Sequence, residues 1–189
     1  MVVSELILGG QRSGKSRRAE TLAQQWLAQS EAHRAVMVAT AQPWDAEMRA
    51  RIARHRQDRA ERVPAMETLE EPLRLPEAVL GLSTPQTLVV VDCLTLWLSN
   101  LMMPADLDPV RAAAPATDQL LALLPVALAE AAGPVVLVSN EVGLGVIPMG
   151  EEVRLYVDLL GRMNQEVAAA CARVTFMAAG LPLTLKGPA

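Results

Sequence analysis

The chain has 189 residues and a formal net charge of −4, with 51% of residues hydrophobic and 20% charged. That length suffices for one full-sized core and is short for two independent ones, so residues 1–189 are expected to form a single domain. The acidic balance argues against a general nucleic-acid binder, and the longest apolar runs, such as Pro134 to Val138, are far too short to span a bilayer.

The first predicted strand, Glu5–Leu8, runs directly into Gly9-Gly10-Gln11-Arg12-Ser13-Gly14-Lys15-Ser16. A predicted helix over Lys15–Ala28 follows, which is the strand-then-helix setting of the phosphate-binding pattern G-x-x-x-x-G-K-S. Glycines let the backbone wrap closely, so that successive N–H groups point at phosphate oxygens. The helix adds the positive end of its dipole beneath the same anion. Lys15 is expected to reach the β- and γ-phosphates, and the Ser16 hydroxyl to take a Mg²⁺ position. The chain is therefore expected to bind a nucleoside triphosphate. Glu5 interrupts the apolar N-terminus, so the layout of a secretory signal is missing. With Cys93 and Cys171 as the only cysteines, reduced thiols and a cytoplasmic location are expected.

His33 lies in a polar loop before the second predicted strand, Ala35–Ala39, and has no assigned role. The helix predicted over Asp45–Arg62 is rich in arginine: Arg49, Arg51, Arg54, Arg56, Arg59 and Arg62. Its single histidine, His55, has Arg51 and Arg59 one turn away on either side. Two readings fit: a partly exposed helix histidine beside a Met48/Ile52 apolar stripe, or an imidazole nucleophile whose arginine neighbours stabilise an attached phosphate. Spacing leaves both open.

A helix over Leu73–Leu82 precedes the strand Leu88–Asp92, whose apolar run ends in a carboxylate. Downstream of a phosphate loop, such an acid is expected to hold Mg²⁺. Cys93 is expected to be a small buried residue. Next come a helix over Leu94–Met103, an exposed connection over Pro104–Thr117, and a helix over Thr117–Ala132 that Pro125 should kink or break. The strand Pro134–Ser139 leads into Asn140-Glu141-Val142-Gly143-Leu144-Gly145, read as a loop over the active edge with Glu141 aimed at substrate or metal, or as a plain Gly-rich turn. In the last helix, Glu151–Ala172, close packing is the expected reason for Gly161, whereas Arg162, Asn164 and Gln165 have no evident structural need. Strands at Val174–Ala178 and Leu183–Leu185 end the chain. Alternating helices and short, Val-rich strands predict an α/β fold: a mostly parallel central sheet flanked by helices.

The order of these motifs resembles the bifunctional adenosylcobinamide kinase / adenosylcobinamide-phosphate guanylyltransferase family, nearly end to end. The resemblance rests on Leu8 to Ser16, Ala39-Thr40-Ala41, Trp44 to Met48, His55-Arg56, Glu70-Glu71-Pro72 and Val91 to Asn100. It continues through Ser139 to Gly145, Asp158 to Gln165 and Gly180 to Leu183. Such membership implies phosphorylation of adenosylcobinamide by ATP or GTP. Transfer of GMP from GTP through a guanylyl-histidine follows, and the matching residue here is His55. It further implies nucleotide contacts from Gly9 to Ser16, from Ala39, Thr40 and Ala41, from Arg56, Gln57, Asp58 and Arg59, and from Glu70 and Asp92. Mg²⁺ would be held by Ser16 and Asp92, and a homo-oligomer, a trimer, is implied. The competing expectations are a single-function small-molecule kinase with a structural His55, and a nucleotide-binding regulatory module.

Overall fold

The computed structural model describes residues 4–102, 117–146 and 148–187. Its order is β1 (Glu5–Gly9), α1 (Lys15–Leu27), β2 (Arg34–Ala39), α2 (Ala46–Arg62), β3 (Glu67–Glu70), α3 (Leu75–Leu82), β4 (Thr87–Asp92) and α4 (Leu94–Met102). Then come α5 (Thr117–Glu130), β5 (Val135–Val138), a single 3₁₀ turn at Val142–Leu144, α6 (Glu151–Ala170), β6 (Arg173–Ala178) and β7 (Leu181–Lys186).

The strands form one seven-stranded sheet in the order β3-β2-β4-β5-β1-β6-β7. All neighbours are parallel except β6 and β7, which form an antiparallel hairpin at one edge. The α/β architecture with a mostly parallel sheet is therefore as the sequence predicts. Every residue of β1 and β5 is buried, since helices cover both faces.

Alternation within each strand divides the core. Leu6, Leu8, Val89, Val91, Val135 and Leu137 pack on one side with residues of α3, α4, α5 and α6, among them the fully buried Trp97. Ile7, Leu88, Val90, Val136 and Val138 face the other side, where Ala19 and Ala23 of α1 lie. Small alanines allow α1 to approach the sheet closely, directly below the loop from which it starts. α2 contributes no buried residue at all. It lies outside the core as an arm, joined to the body by polar contacts.

Several sequence expectations are corrected. β3 was not foreseen, because Glu67-Thr68-Leu69-Glu70 is exposed at every position and carries no apolar period. α3 starts at Leu75 rather than Leu73, with Pro76 in its first turn, where a missing N–H is tolerated. α5 runs from Thr117 to Glu130 through Pro125 without a break. The final strand begins at Leu181 and pairs with β6 from Ala178 back to Val174, with a register shift between Val174 and Thr175. Met103 and the connection from Pro104 to Ala116 lie outside the described residues.

Gly133, just before β5, is required by space. A Cβ there would lie 1.9 Å from the Thr84 carbonyl oxygen and 2.6 Å from that of Thr87. Both are backbone atoms that cannot step aside cheaply. Gly133→Ala is expected to destabilise the protein by roughly 1–3 kcal/mol through overpacking. A urea melt checks this as a lower midpoint with an unchanged slope.

Candidate active site

The phosphate loop closes between β1 and α1 as its glycines require. Gly9 has φ +148°, and a Cβ on it would meet the Met177 carbonyl oxygen at 2.5 Å. Gly14 has φ +101° and caps α1 in a left-handed conformation that only glycine adopts without strain. Arg12 also has a positive φ, at 55°. The β6–β7 turn supports the loop from outside, since Gly180 N donates to the Ser13 carbonyl at 3.0 Å. That support was not legible in the sequence.

Lys15 is buried, and its Nζ donates to the Gly10 carbonyl at 2.6 Å, across the mouth of the loop. Burial lowers its pKa from the ordinary lysine value, and the nearby charge of Arg51 acts in the same direction; Cys93 and Asp92 oppose it. Asp92 ends β4 and is partly exposed, as is Ser16 at the start of α1. The next residue, Cys93, is buried, and burial pushes its thiol up to about 11, with Asp92 adding to the effect. It stays protonated at neutral pH, as a buried structural thiol does.

At the end of β2, Thr40 is fully buried. Its hydroxyl donates to the Cys93 carbonyl at 2.7 Å and accepts from Cys93 N at 2.9 Å. The buried Asn100 of α4 donates to the Thr40 carbonyl at 2.7 Å and to that of Pro72 at 3.1 Å. The Thr40 side chain thus ties β2 to β4, while Ala39 and Ala41 flank it as half-buried residues at the same sheet edge.

α2 begins where the Asp45 side chain accepts from Met48 N at 2.6 Å. Its far end is anchored by Arg62, which donates to the buried Glu20 of α1 at 2.8 Å, while Gln24 donates to the Arg62 carbonyl. In between, Arg56 pairs with Glu70 and Arg59 donates to Thr68 Oγ1 at 3.2 Å. Gln57 donates to Glu61 and Asp58 pairs with Arg62 along the helix itself. Arg51 faces the phosphate loop: with its amide oxygen turned toward the guanidinium, Gln11 accepts from both terminal nitrogens of Arg51 at 3.2 Å. His55 is exposed, one turn further along the same side of the helix. No residue of α2 is buried, so the helix offers no core into which His55 could pack.

The opposite wall of the site was only partly anticipated. Asn164 of α6 is 3% exposed. Its Nδ2 donates to Glu141 Oε1 at 3.0 Å and to the Asn140 carbonyl at 3.1 Å. The expectation that Asn164 has no structural need is therefore wrong: it bridges α6 to the loop after β5. Gly161 is not explained by packing either, because a Cβ there would meet nothing within 4 Å. It lines a cavity of about 440 Å³ between the loop after β5 and α6, together with Val142, Gly143, Val157 and Gln165.

Comparison with known proteins identifies the family. The family model described as cobinamide kinase / cobinamide phosphate guanyltransferase matches residues 5–185. The bifunctional adenosylcobalamin biosynthesis protein CobP of Pseudomonas aeruginosa is 48% identical over 187 residues, covering 97% of each chain. The bifunctional adenosylcobalamin biosynthesis protein CobU of Escherichia coli is 35% identical, over 96% of this chain and 98% of its own. Among solved structures, the flagellar accessory protein FlaH of Methanocaldococcus jannaschii superposes with a TM-score of 0.51 at 12% identity, covering 98% of this chain and 78% of its own. That likeness concerns the fold alone. Matched from its first strand to its last, the chain belongs to the cobinamide kinase / cobinamide phosphate guanyltransferase family, transferases of adenosylcobalamin biosynthesis.

Proposed function

We infer that one phosphate loop serves both of the family's reactions in this chain, and that His55 carries the GMP between them. In the first reaction, the hydroxyl of the aminopropanol arm of adenosylcobinamide attacks the γ-phosphorus of ATP or GTP, and the nucleoside diphosphate leaves. In the second, a ring nitrogen of His55 attacks the α-phosphorus of GTP and pyrophosphate leaves. The phosphate oxygen of adenosylcobinamide phosphate then displaces His55, giving adenosylcobinamide-GDP. A covalent intermediate divides one hard transfer into two easier displacements.

The observation that supports this reading is that Arg51 of α2 lies 3.2 Å from the Gln11 amide of the phosphate loop, a hydrogen bond once the amide oxygen faces the guanidinium, with His55 one turn further along the helix. The groups that leave in the second reaction are the β- and γ-phosphates. A loop built around Gly9 to Ser16 cradles those same groups, so both reactions use one anion site. Arg56 with Glu70, and Arg59 with Thr68, join α2 to β3. Gln57 and Asp58, on the same stretch of helix, and Ala39 to Ala41 at the sheet edge complete the proposed nucleotide surroundings.

Ser16 and Asp92 offer hard oxygen donors, partly exposed beside the loop, and these fit Mg²⁺. When bound, Mg²⁺ would neutralise charge building on the phosphates. No helix among the described residues is long and apolar enough to cross a membrane. A cytoplasmic homo-oligomer, a trimer, completes the proposal, and light scattering of the purified protein tests its assembly.

The test of the chemistry uses GTP labelled on the α- or the γ-phosphate. After incubation with Mg²⁺ and denaturation, the protein should retain the α-label and lose the γ-label. The adduct should be labile in acid and stable in alkali, as a phosphoramidate is. Wild-type protein that retains no α-label sinks the histidine mechanism.

A further inference from the structure

In the sheet, β5 lies between β1, which leads into the phosphate loop, and β4, which ends at Asp92. The chain leaving β5 therefore emerges between the triphosphate-binding loop and the acid. It is pinned on both sides. Asn140 N donates to Thr95 Oγ1 at 2.9 Å on the α4 side, and Glu141 N donates to the Gly9 carbonyl at 3.4 Å on the loop side. From behind, the buried Asn164 fixes the Glu141 carboxylate through Oε1. No hydrogen bond or ion pair to Oε2 is made among the described residues, so that oxygen remains an acceptor. A solvated loop glutamate needs no buried amide to orient it; a carboxylate that must accept a proton at a fixed place does.

The residues that follow Glu141 in the chain, Val142 and Gly143, line a cavity against α6. At about 440 Å³ it has room for a side arm. Its lining is mixed, with Arg154, Asp158, Arg162 and Gln165 beside valines, and Leu144, Val146 and Met149 of the adjoining loop are 74%, 95% and 97% exposed. Those exposed side chains suit the flank of a large substrate whose arm enters the cavity.

We propose that Glu141 is the general base for phosphorylation of the substrate alcohol, with Asn164 as its positioning residue and the adjoining cavity as the seat of the hydroxyl-bearing arm. The proposal rests on the two-reaction reading above. As the hydroxyl oxygen bonds to the γ-phosphorus, its proton passes to Glu141 Oε2. The bond from the γ-phosphorus to the β–γ bridging oxygen breaks, and its electron pair leaves with the nucleoside diphosphate. The second reaction has no such need, because its nucleophiles are an unprotonated ring nitrogen of His55 and then a phosphate that already carries negative charge.

Glu141→Gln keeps the shape and the acceptor for Asn164 while removing the base. A positioned general base contributes about 10²–10⁴-fold, so kcat for phosphorylation should fall at least about 100-fold, with KM for the alcohol little changed. Retention of α-label from GTP, and GMP transfer to substrate supplied already phosphorylated, should stay at the wild-type level. Asn164→Ala should give the same one-sided loss and add nothing to it in the double variant, which marks action through Glu141. Should Asn164→Ala fail to fold, Glu141→Gln decides alone. Wild-type phosphorylation by Glu141→Gln, or an equal fall in both reactions, overturns the proposal. Failure of the histidine mechanism would instead be seen in unmodified protein, as missing α-label, and is thereby distinguished.

Discussion

His55→Ala is expected to abolish guanylyl transfer, lowering it at least about 1,000-fold, the scale on which loss of a covalent nucleophile is felt. Phosphorylation of adenosylcobinamide should continue close to the wild-type rate. The asymmetry follows from what each reaction asks of the helix. A γ-phosphoryl transfer needs the phosphate loop and an alcohol, whereas GMP transfer needs a nitrogen at the α-phosphorus. Because His55 is exposed on a helix with no buried residue, its removal should alter stability by no more than about 0.5 kcal/mol. A lost activity with an unchanged melting temperature thus identifies chemistry rather than folding. Full α-label retention by His55→Ala would exclude the histidine as acceptor.

Lys15→Met should behave differently and damage both reactions together. The Lys15 ammonium is buried at the loop mouth, within 2.6 Å of the Gly10 carbonyl, where it can move onto the phosphates that bridge the two chemistries. Removing one preorganised group aimed at developing charge costs about 10²–10³-fold. Each half-reaction is therefore expected to lose that much in kcat/KM, measured separately with alcohol and with phosphorylated substrate. Methionine preserves the volume of the buried stem, so the fold should persist. If either half keeps its wild-type rate, the two reactions do not share this loop. Together the three substitutions make a simple pattern: His55→Ala removes one activity, Glu141→Gln the other, and Lys15→Met both.

The polar wall of the site explains why this pattern could not be fully read from the residues. Glu141 stood out because it follows a buried strand, but its partner Asn164 lies in another helix. Nothing in their spacing marks the contact. Gly180 likewise supports Ser13 from the far end of the chain. β3 escaped recognition because an edge strand with only polar, exposed positions lacks the periodicity by which strands are recognised. It nonetheless reaches α2, since Glu70 at its end pairs with Arg56 next to His55.

What the sequence determined by itself is the local chemistry. The phosphate loop is made by consecutive residues, Gly9 to Ser16, so its glycines, lysine and serine declare their use wherever the loop sits. The same holds for the buried strands, whose runs of valine require helices on both faces. Strand order was a different matter. β1, β4 and β5 are all short, buried and apolar, and periodicity assigns them no neighbours. Only the long-range pairing of the folded chain puts β5 between β1 and β4. That placement brings Glu141 between the phosphate loop and Asp92, with Asn164 fixing its carboxylate from behind.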